Sequence, residues 1–485
     1  MDVSQIYSSA RNAQQEWMGR SVAERLKLMK RLRTLIANQS VELAQKLHDV
    51  TGKPSFEALT AEILTVVDTI RYWEKRAVRL LRPQRMSTPL LLFGRRSWVE
   101  YSPRGVVLVI SPWNYPFQLS MIPTLAALLT GNAVVLKPSE VTSELDSVLA
   151  DLFVRAGFPS GLVQVISGDG SVGAALVQGS PDMIFFTGSV ATGKAIQKVA
   201  AEKLIPTILE LGGKDAMIVC GDAPLQRAIS GAVWGGFTNC GQVCLSTERI
   251  LIHEEIYVDF LERFVQQVSS LAWGRLISPH QVQVVRKQVE DALSKGARLV
   301  AGVSPDEWSL GSLSIPPTVL TDVTDDMIIM QEETFGPVVT LIPFTTEEEA
   351  IRIANSVQYG LGASVWSGDL ARARKIASQL QVGNISINDT MITVANPHLP
   401  FGGVKSSGLG SYHGSGGLRA FCAPTAVMAS SGRRFTELNW FPYNQSKQDL
   451  VVGLLETLYG NQGSWLTLVR KALNPAAWLS GFKKE

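Results

Sequence analysis

The rhythm of apolar and polar positions changes near residue 104. Before it the chain reads as helices: Leu26, Met29, Leu32 and Ile36 recur at helical spacing, and Ser21 followed by Glu24 is a capping-box signature at their start. Ser40 is expected to cap a second helix that ends near Gly52 and Pro54. A short stretch from Ser97 to Tyr101 has isolated strand character. Beyond Arg104, continuous apolar runs of strand length appear at residues 105–110, 133–136, 162–166, 183–186 and 208–211. Helical segments separate them, for example Pro116 to Leu129 and Thr142 to Ala156. Buried strands alternating with helices predict a parallel, doubly wound α/β sheet covered on both faces. A second α/β unit follows, with strands at 216–220 and 249–253 and a helix from Glu255 to about Leu271. After about Ser430 the character shifts again. Leu450, Leu454, Leu455 and Leu458 with Trp465, Leu468 and Leu473 predict an amphipathic helix in this tail.

Composition narrows the reading without redirecting it. A chain of 485 residues, 46% of them hydrophobic, can bury a large core and is expected to form roughly two or three domains. The formal net charge of +2 excludes a broad field for nucleic acid. Four irregularly spaced cysteines (Cys220, Cys240, Cys244 and Cys422) form no disulfide framework, which points to a reducing, cytoplasmic compartment. The first residues lack the apolar core of a secretory signal, and the best apolar run, Leu450 to Tyr459, is interrupted by Glu456. The expectation is a soluble protein, at most peripheral to a membrane. The five histidines show no metal-ligand spacing, so no metal is expected.

Five stretches carry candidate chemistry. FTNCGQVC, residues 237–244, places the thiol of Cys244 in a glycine-rich loop. A nucleophilic cysteine needs an electropositive, partly exposed setting, and the bland alternative is an inert buried thiol. Cys240 and Cys244 are spaced to face the same way on one helical turn. In ILELGGKD, Glu210 ends an apolar strand, where ligands bind in open α/β sheets; burial there suits a carboxyl to general-base work, and a structural cap is the competing role. In ISPWNYPF the Asn114 side chain can stabilise an oxyanion or simply cap a loop. FTGSVATGK, residues 186–194, superficially matches a phosphate loop through Gly188, Gly193 and Lys194, but Ala195 stands where a Ser or Thr would hold Mg²⁺. What remains is a helix start whose Ser189 can receive a pyrophosphate oxygen. Lys137 and Glu140 in KPSE, and Glu333 and Phe335 in EETFGP, add polar and aromatic groups at other turns.

Taken together, PWNYP, LELGGK, GQVC, EETFGP and LPFGGVKSSG, in that order from about residue 5 to 430, resemble the aldehyde dehydrogenase superfamily. The resemblance implies a Rossmann-type NAD(P)-binding domain (1–81 and 103–211), an α/β catalytic domain (212–414) and small bridging strands (82–102 and 415–432). A helical tail covers 433–485. It implies Cys244 as nucleophile, Glu210 as general base, and Asn114 with the Cys244 backbone N–H as oxyanion hole. Ile110, Trp113, Lys137, Glu140, Gly188, Ser189, Gly193, Leu211, Glu333 and Phe335 would contact the cofactor. Lys137 and Glu140 would hold the adenosine ribose, Ser189 a phosphate and Glu333 the nicotinamide ribose, with Phe335 near the nicotinamide. Glu140 should repel a 2′-phosphate, which favours NAD over NADP, although a swinging Glu140 would admit both. The short N-terminus and the Leu399–Gly414 stretch look like the class 3 or fatty-aldehyde branch, which implies a homodimer accepting medium- and long-chain aliphatic, aromatic or apocarotenoid aldehydes. The tail then packs on the dimer, or serves as a lid or interfacial anchor with Trp478, Lys483 and Lys484 at the headgroups. Rival readings are a CoA-acylating enzyme, which would not need Glu210, and a catalytically idle binding protein on the same scaffold. Cys240, one helical turn before Cys244, is a candidate redox partner.

Overall fold

The computed structural model describes residues 2–473 except 90, 91, 93, 273, 310, 434–436 and 461–463. It divides into two compact units: Met1–Arg82 with Tyr101–Pro424, and Pro83–Glu100 with Thr425–Glu485. The amino-terminal helices form as the pattern indicates. Ser21 Oγ accepts from Glu24 N at 3.3 Å while Glu24 accepts from Ser21 N at 2.7 Å, so the capping box closes in both directions. Ser40 does not cap the next helix; it is its first residue, with Gln39 at the cap, and Gly52 ends it in a left-handed conformation.

Strands β1 (Gln84–Met86) and β2 (Arg95–Pro103) precede the first large sheet. That sheet contains β3 (Val106–Ile110), β4 (Ala133–Lys137), β5 (Val163–Val165), β6 (Met183–Thr187) and β7 (Thr207–Glu210). These five are parallel, in the order β7-β6-β3-β4-β5. The chain therefore winds outward one way from β3 to β5, then crosses back to β6 beside β3. This is a doubly wound Rossmann-type sheet, and its switch point lies between the carboxyl ends of β3 and β6. The helix Pro116–Leu129 explains how the sheet is covered. Its proline-started first turn needs no donor there, and 13 of its 14 residues are buried, as expected of a helix apolar all round.

The second sheet is built from β8 (Asp215–Val219), β9 (Thr247–His253), β10 (Arg298–Ala301), β11 (Thr318–Thr321), β12 (Val338–Phe344), β13 (Gly362–Trp366) and β14 (Asn384–Ile387). The order is β10-β11-β12-β9-β8-β13-β14, parallel apart from β10. Alternate residues of β8 go to opposite faces: Ala216 and Ile218 join one apolar cluster, Met217 and Val219 another.

The chain then returns to the first sheet. β15 (Gly408–Leu409) pairs antiparallel with β7, with Gly408 opposite Glu210. Ser407 locks this return, its carbonyl accepting from Leu211 N at 2.9 Å and its hydroxyl donating to Gly212 O at 2.7 Å. Finally β16 (Cys422–Ser430) completes a three-stranded sheet in the order β1-β2-β16. The tail is two helices rather than one, Gln445–Leu458 and Trp465–Ala472, with Leu450 and Leu468 buried together. Trp478, Lys483 and Lys484 lie outside the described residues. No helix among the described residues is long and apolar enough to cross a membrane.

Candidate active site

The strand ends of the first sheet and two loops of the second part of the chain converge on a cleft of about 680 Å³, within the usual range for small-molecule and cofactor sites. Trp113 and Asn114 reach it from the turn after β3, Gly188 and Ser189 from the turn after β6, and Glu210 and Leu211 from the end of β7. Cys244 enters just before β9, and Glu333 and Phe335 just before β12. Ile110, Lys137, Glu140 and Gly193 do not line this cavity. Ile110 and Lys137 sit at the neighbouring ends of β3 and β4, where they pair in register. Lys137 Nζ donates to Glu140 at 3.4 Å. Gly193 lies inside the helix Val190–Glu202, where a Cβ would come within 2.6 Å of the Leu211 side chain.

The two glycines after Glu210 let three segments meet. Glu333 lies against Gly212 with no space for a Cβ between them, and it accepts from Gly213 N at 3.1 Å. The Cys244 carbonyl lies against Gly213 on its other side. Any side chain at either glycine would push a catalytic loop away from the strand end.

Glu210 is 3% exposed, and neither of its carboxyl oxygens has a hydrogen-bond partner. Burial drives its pKa well above the usual carboxylate range. Cys244 is not in the electropositive setting expected of it. Burial pushes its thiol well above the ordinary value, and Glu333, Asp215 and Glu210 add to the effect, opposed only by the Leu245 backbone. At rest the Cys244 side chain is therefore a thiol.

The loop before Cys244 is held in a sharp turn. Asn239, Cys240 and Gly241 have consecutive φ values of 48°, 53° and 69°, so Cys240 is not one helical turn from Cys244. Cys240 packs with the second-sheet core and its Sγ abuts Gly274, while Cys244 packs with the first-sheet core. The two thiols part into different environments, which removes the expected shared helical face. Burial pushes the Cys240 thiol up to about 12.

Asn114 is buried, and its Nδ2 donates to Gln242 O at 3.0 Å. A primary amide has two N–H groups, so one is committed to the Cys244 loop and one is left for the cleft.

The Glu332–Pro337 loop is held by residues that motif reading did not assign. Glu248 accepts from Thr334 N and from Phe335 N, the latter at 3.0 Å, and forms a buried ion pair with Lys214. Lys214 also donates to Thr334 Oγ1 at 2.9 Å, and Gln288 donates to Glu333 O at 2.9 Å. Phe335, at φ 50°, meets Trp113 edge to face at 5.3 Å. Glu333 itself is pushed up to about 8 by burial and by Glu248, with Gly213 N–H and Lys214 opposing. Glu248 and Arg249 stand at the start of an apolar strand, and that incongruity was the available signal. Lys214 sat inside a quoted motif without a role.

A dinucleotide fits this arrangement. The helix Val190–Glu202 turns its amino end to the cleft, capped by Ser189 accepting from Thr192 N at 3.2 Å. Thr187 Oγ1, on the same rim, is buried without a partner and available to a ligand. Among the described residues no cluster of His, Cys, Asp and Glu has the geometry of a metal site.

Comparison with known proteins gives a consistent picture. The model of the Aldehyde dehydrogenase family matches residues 1–427. A 4,4'-diapolycopene aldehyde oxidase of Methylomonas sp is 42% identical over 467 residues, which is 94% of this chain and 87% of the relative. The NAD+ complex of an aldehyde dehydrogenase from Bacillus cereus superposes with a TM-score of 0.84 at 35% identity, covering 89% of each chain. A structure described as an E. coli NADP dependent enzyme gives a TM-score of 0.84 at 29% identity, covering 88% of this chain and 90% of its own.

Proposed function

The chain belongs to the aldehyde dehydrogenase family, an oxidoreductase acting on aldehydes, and from that premise we propose that it oxidises lipophilic aldehydes to carboxylic acids through a thioester on Cys244. One observation carries this reading: a single cleft gathers the Cys244 thiol, the Asn114 amide and a Glu210 whose oxygens have no other partner.

In this mechanism the Cys244 thiol gives up its proton to solvent, and the Sγ thiolate adds to the aldehyde carbon. The oxygen becomes an anion facing the free N–H of Asn114 and the backbone N–H of Cys244, donors already fixed by the fold. Bound NAD supplies the electrophilic ring that accepts the hydride released as the thiohemiacetal collapses to a thioester. Glu210 then draws a proton from water, the water oxygen bonds to the acyl carbon, and the acid leaves as Sγ is freed. Ser189, Glu333, Phe335 and Trp113 would hold the cofactor, on the first sheet's switch-point side, while the second sheet supplies Cys244. Lys137 and Glu140 would take the adenosine ribose, and the Glu140 carboxylate would disfavour a 2′-phosphate, making NAD preferred and NADP the slower cofactor.

The substrate class rests on two supports. The class 3-like sequence features point to medium- and long-chain aldehydes, and the similarity to a diapolycopene aldehyde oxidase points to long polyenes. Purified protein assayed with NAD or NADP on aldehydes from propanal through decanal to a conjugated polyene aldehyde tests the proposal. The expected result is kcat/KM rising with chain length, and higher with NAD. No NADH or NADPH from any aldehyde sinks the enzymatic reading; turnover only when CoA is added, with acyl-CoA as product, means that the thioester passes to a thiol instead of water.

A further inference from the structure

Two residues outside every motif grip the chain at and just after Asn114, the proposed oxyanion donor. The helix Ser40–Thr51 ends at the left-handed Gly52, and Lys53 follows at once before Pro54. Glu62 lies in a π-helical turn, Ala58–Leu64, a wide turn often found at functional sites. Both side chains are wholly inaccessible to solvent. Lys53 Nζ donates to Glu62 Oε1 at 2.6 Å and to Asn114 O at 2.7 Å, and it lies 4.1 Å from the centre of the Tyr115 ring. Glu62 Oε2 accepts from Phe117 N at 2.8 Å and Gln118 N at 3.3 Å, in the first turn of the helix Pro116–Leu129, where an anion is favoured. The pair thus fixes the carbonyl before Tyr115 and the amides after it.

The hold continues to Cys244. Asn239 Nδ2 is a second donor to Asn114 O, at 3.1 Å. Asn114 Nδ2 donates to Gln242 O, and Gln242 Nε2 donates to Asn239 O at 2.8 Å. A buried ion pair adds little net stability over apolar residues of the same size. What an apolar pair could not supply here is the set of hydrogen bonds directed at Asn114 and Phe117.

We infer that Lys53 and Glu62 are positioning residues that aim the Asn114 amide at the oxyanion formed on Cys244. The inference rests on the proposed role of Asn114. The test uses the full chain with five variants: Lys53→Met/Glu62→Gln, which leaves no orphaned charge; Glu62→Gln alone; Asn114→Ala; the triple variant; and Glu62→Gln/Asn114→Ala. The readouts are the single-turnover rate of NADH formation, NAD affinity by fluorescence titration, and the thermal melt. The paired variant should lose about ten-fold or more of that rate, approaching the roughly 10²–10³-fold cost of deleting an oxyanion donor. NAD affinity should stay unchanged. In the Asn114→Ala background the same pair should cost less than about two-fold, because coupled residues are not additive. An equal loss in both backgrounds, or a wild-type rate in the folded paired variant, overturns the inference while leaving the oxyanion reading intact. A wild-type rate in Asn114→Ala overturns both. If the paired variant does not fold, Glu62→Gln alone, of the same shape, is compared in the two backgrounds by the same criteria.

Discussion

Burial in the cleft favours the protonated form of Glu210, whereas the proposed base role needs the carboxylate. Burial without a hydrogen-bond partner raises its pKa, so the ionisation that general-base work requires is displaced to higher pH. The sign follows directly: thioester hydrolysis should speed up as pH rises and Glu210 ionises. Glu210→Gln, which cannot ionise, should keep the first burst of NADH and lose about 10²–10⁴-fold in turnover, the usual contribution of a general base. Intact-mass analysis should trap an acyl group on Cys244; wild-type turnover in this variant removes Glu210 from the role. Glu210 and Asn114 were legible as polar side chains at strand ends and Cys244 as a thiol in a glycine-rich loop, and the resemblance gave each its proposed role. The environment of Cys244 was not legible, since burial in the folded cleft sets it and three acids distant in sequence, Glu333, Asp215 and Glu210, add to it. Nor was the separation of Cys240 from Cys244, which depends on three successive left-handed residues.

Strands and helices were readable because apolar periodicity reports which face is buried. Ser21 with Glu24 marked a real helix start, whereas Ser40 misled because a cap is defined by backbone geometry, and the chain turns at Gln39 instead. Buried charge leaves a fainter trace, an incongruity such as Glu248 and Arg249 at the start of the otherwise apolar β9. Only the fold reveals that Glu248 carries the amides of Thr334 and Phe335 and pairs with Lys214 from the glycine turn before β8. Replacing Glu248 by Gln keeps the shape but leaves the Lys214 ammonium buried without its counter-charge. Breaking a buried pair in this way costs about 3–5 kcal/mol. The expected outcome is a lower melting temperature and a raised KM for NAD, from a loosened Glu333–Phe335 loop. A variant with unchanged KM and melt shows that the loop holds itself.

For the molecule as a whole, the alternation of strand and helix anticipated the doubly wound sheet. It did not anticipate that the second sheet would place β9 and β8 at its centre with β10 reversed. The side chains lining the cleft all belong to the unit Met1–Arg82 with Tyr101–Pro424. The tail helices carry exposed Trp465, Leu466, Val469 and Leu473. Deleting residues 433–485 should therefore leave kcat on a short, water-soluble aldehyde within about two-fold, and reduce co-sedimentation with anionic liposomes. Unchanged liposome binding removes the anchor role, and a lost kcat assigns the tail to the catalytic fold.

The return of β15 to β7 has a consequence for biosynthesis. Glu210 is translated almost two hundred residues before Gly408, its partner across the ladder. Until that partner leaves the ribosome, β7 is an open sheet edge, and its backbone groups are free to pair with another nascent chain. Glu210 is synthesised early, but its strand gains its edge partner only near the end of translation. A half-made chain therefore carries an unpaired edge at the strand that presents the proposed base.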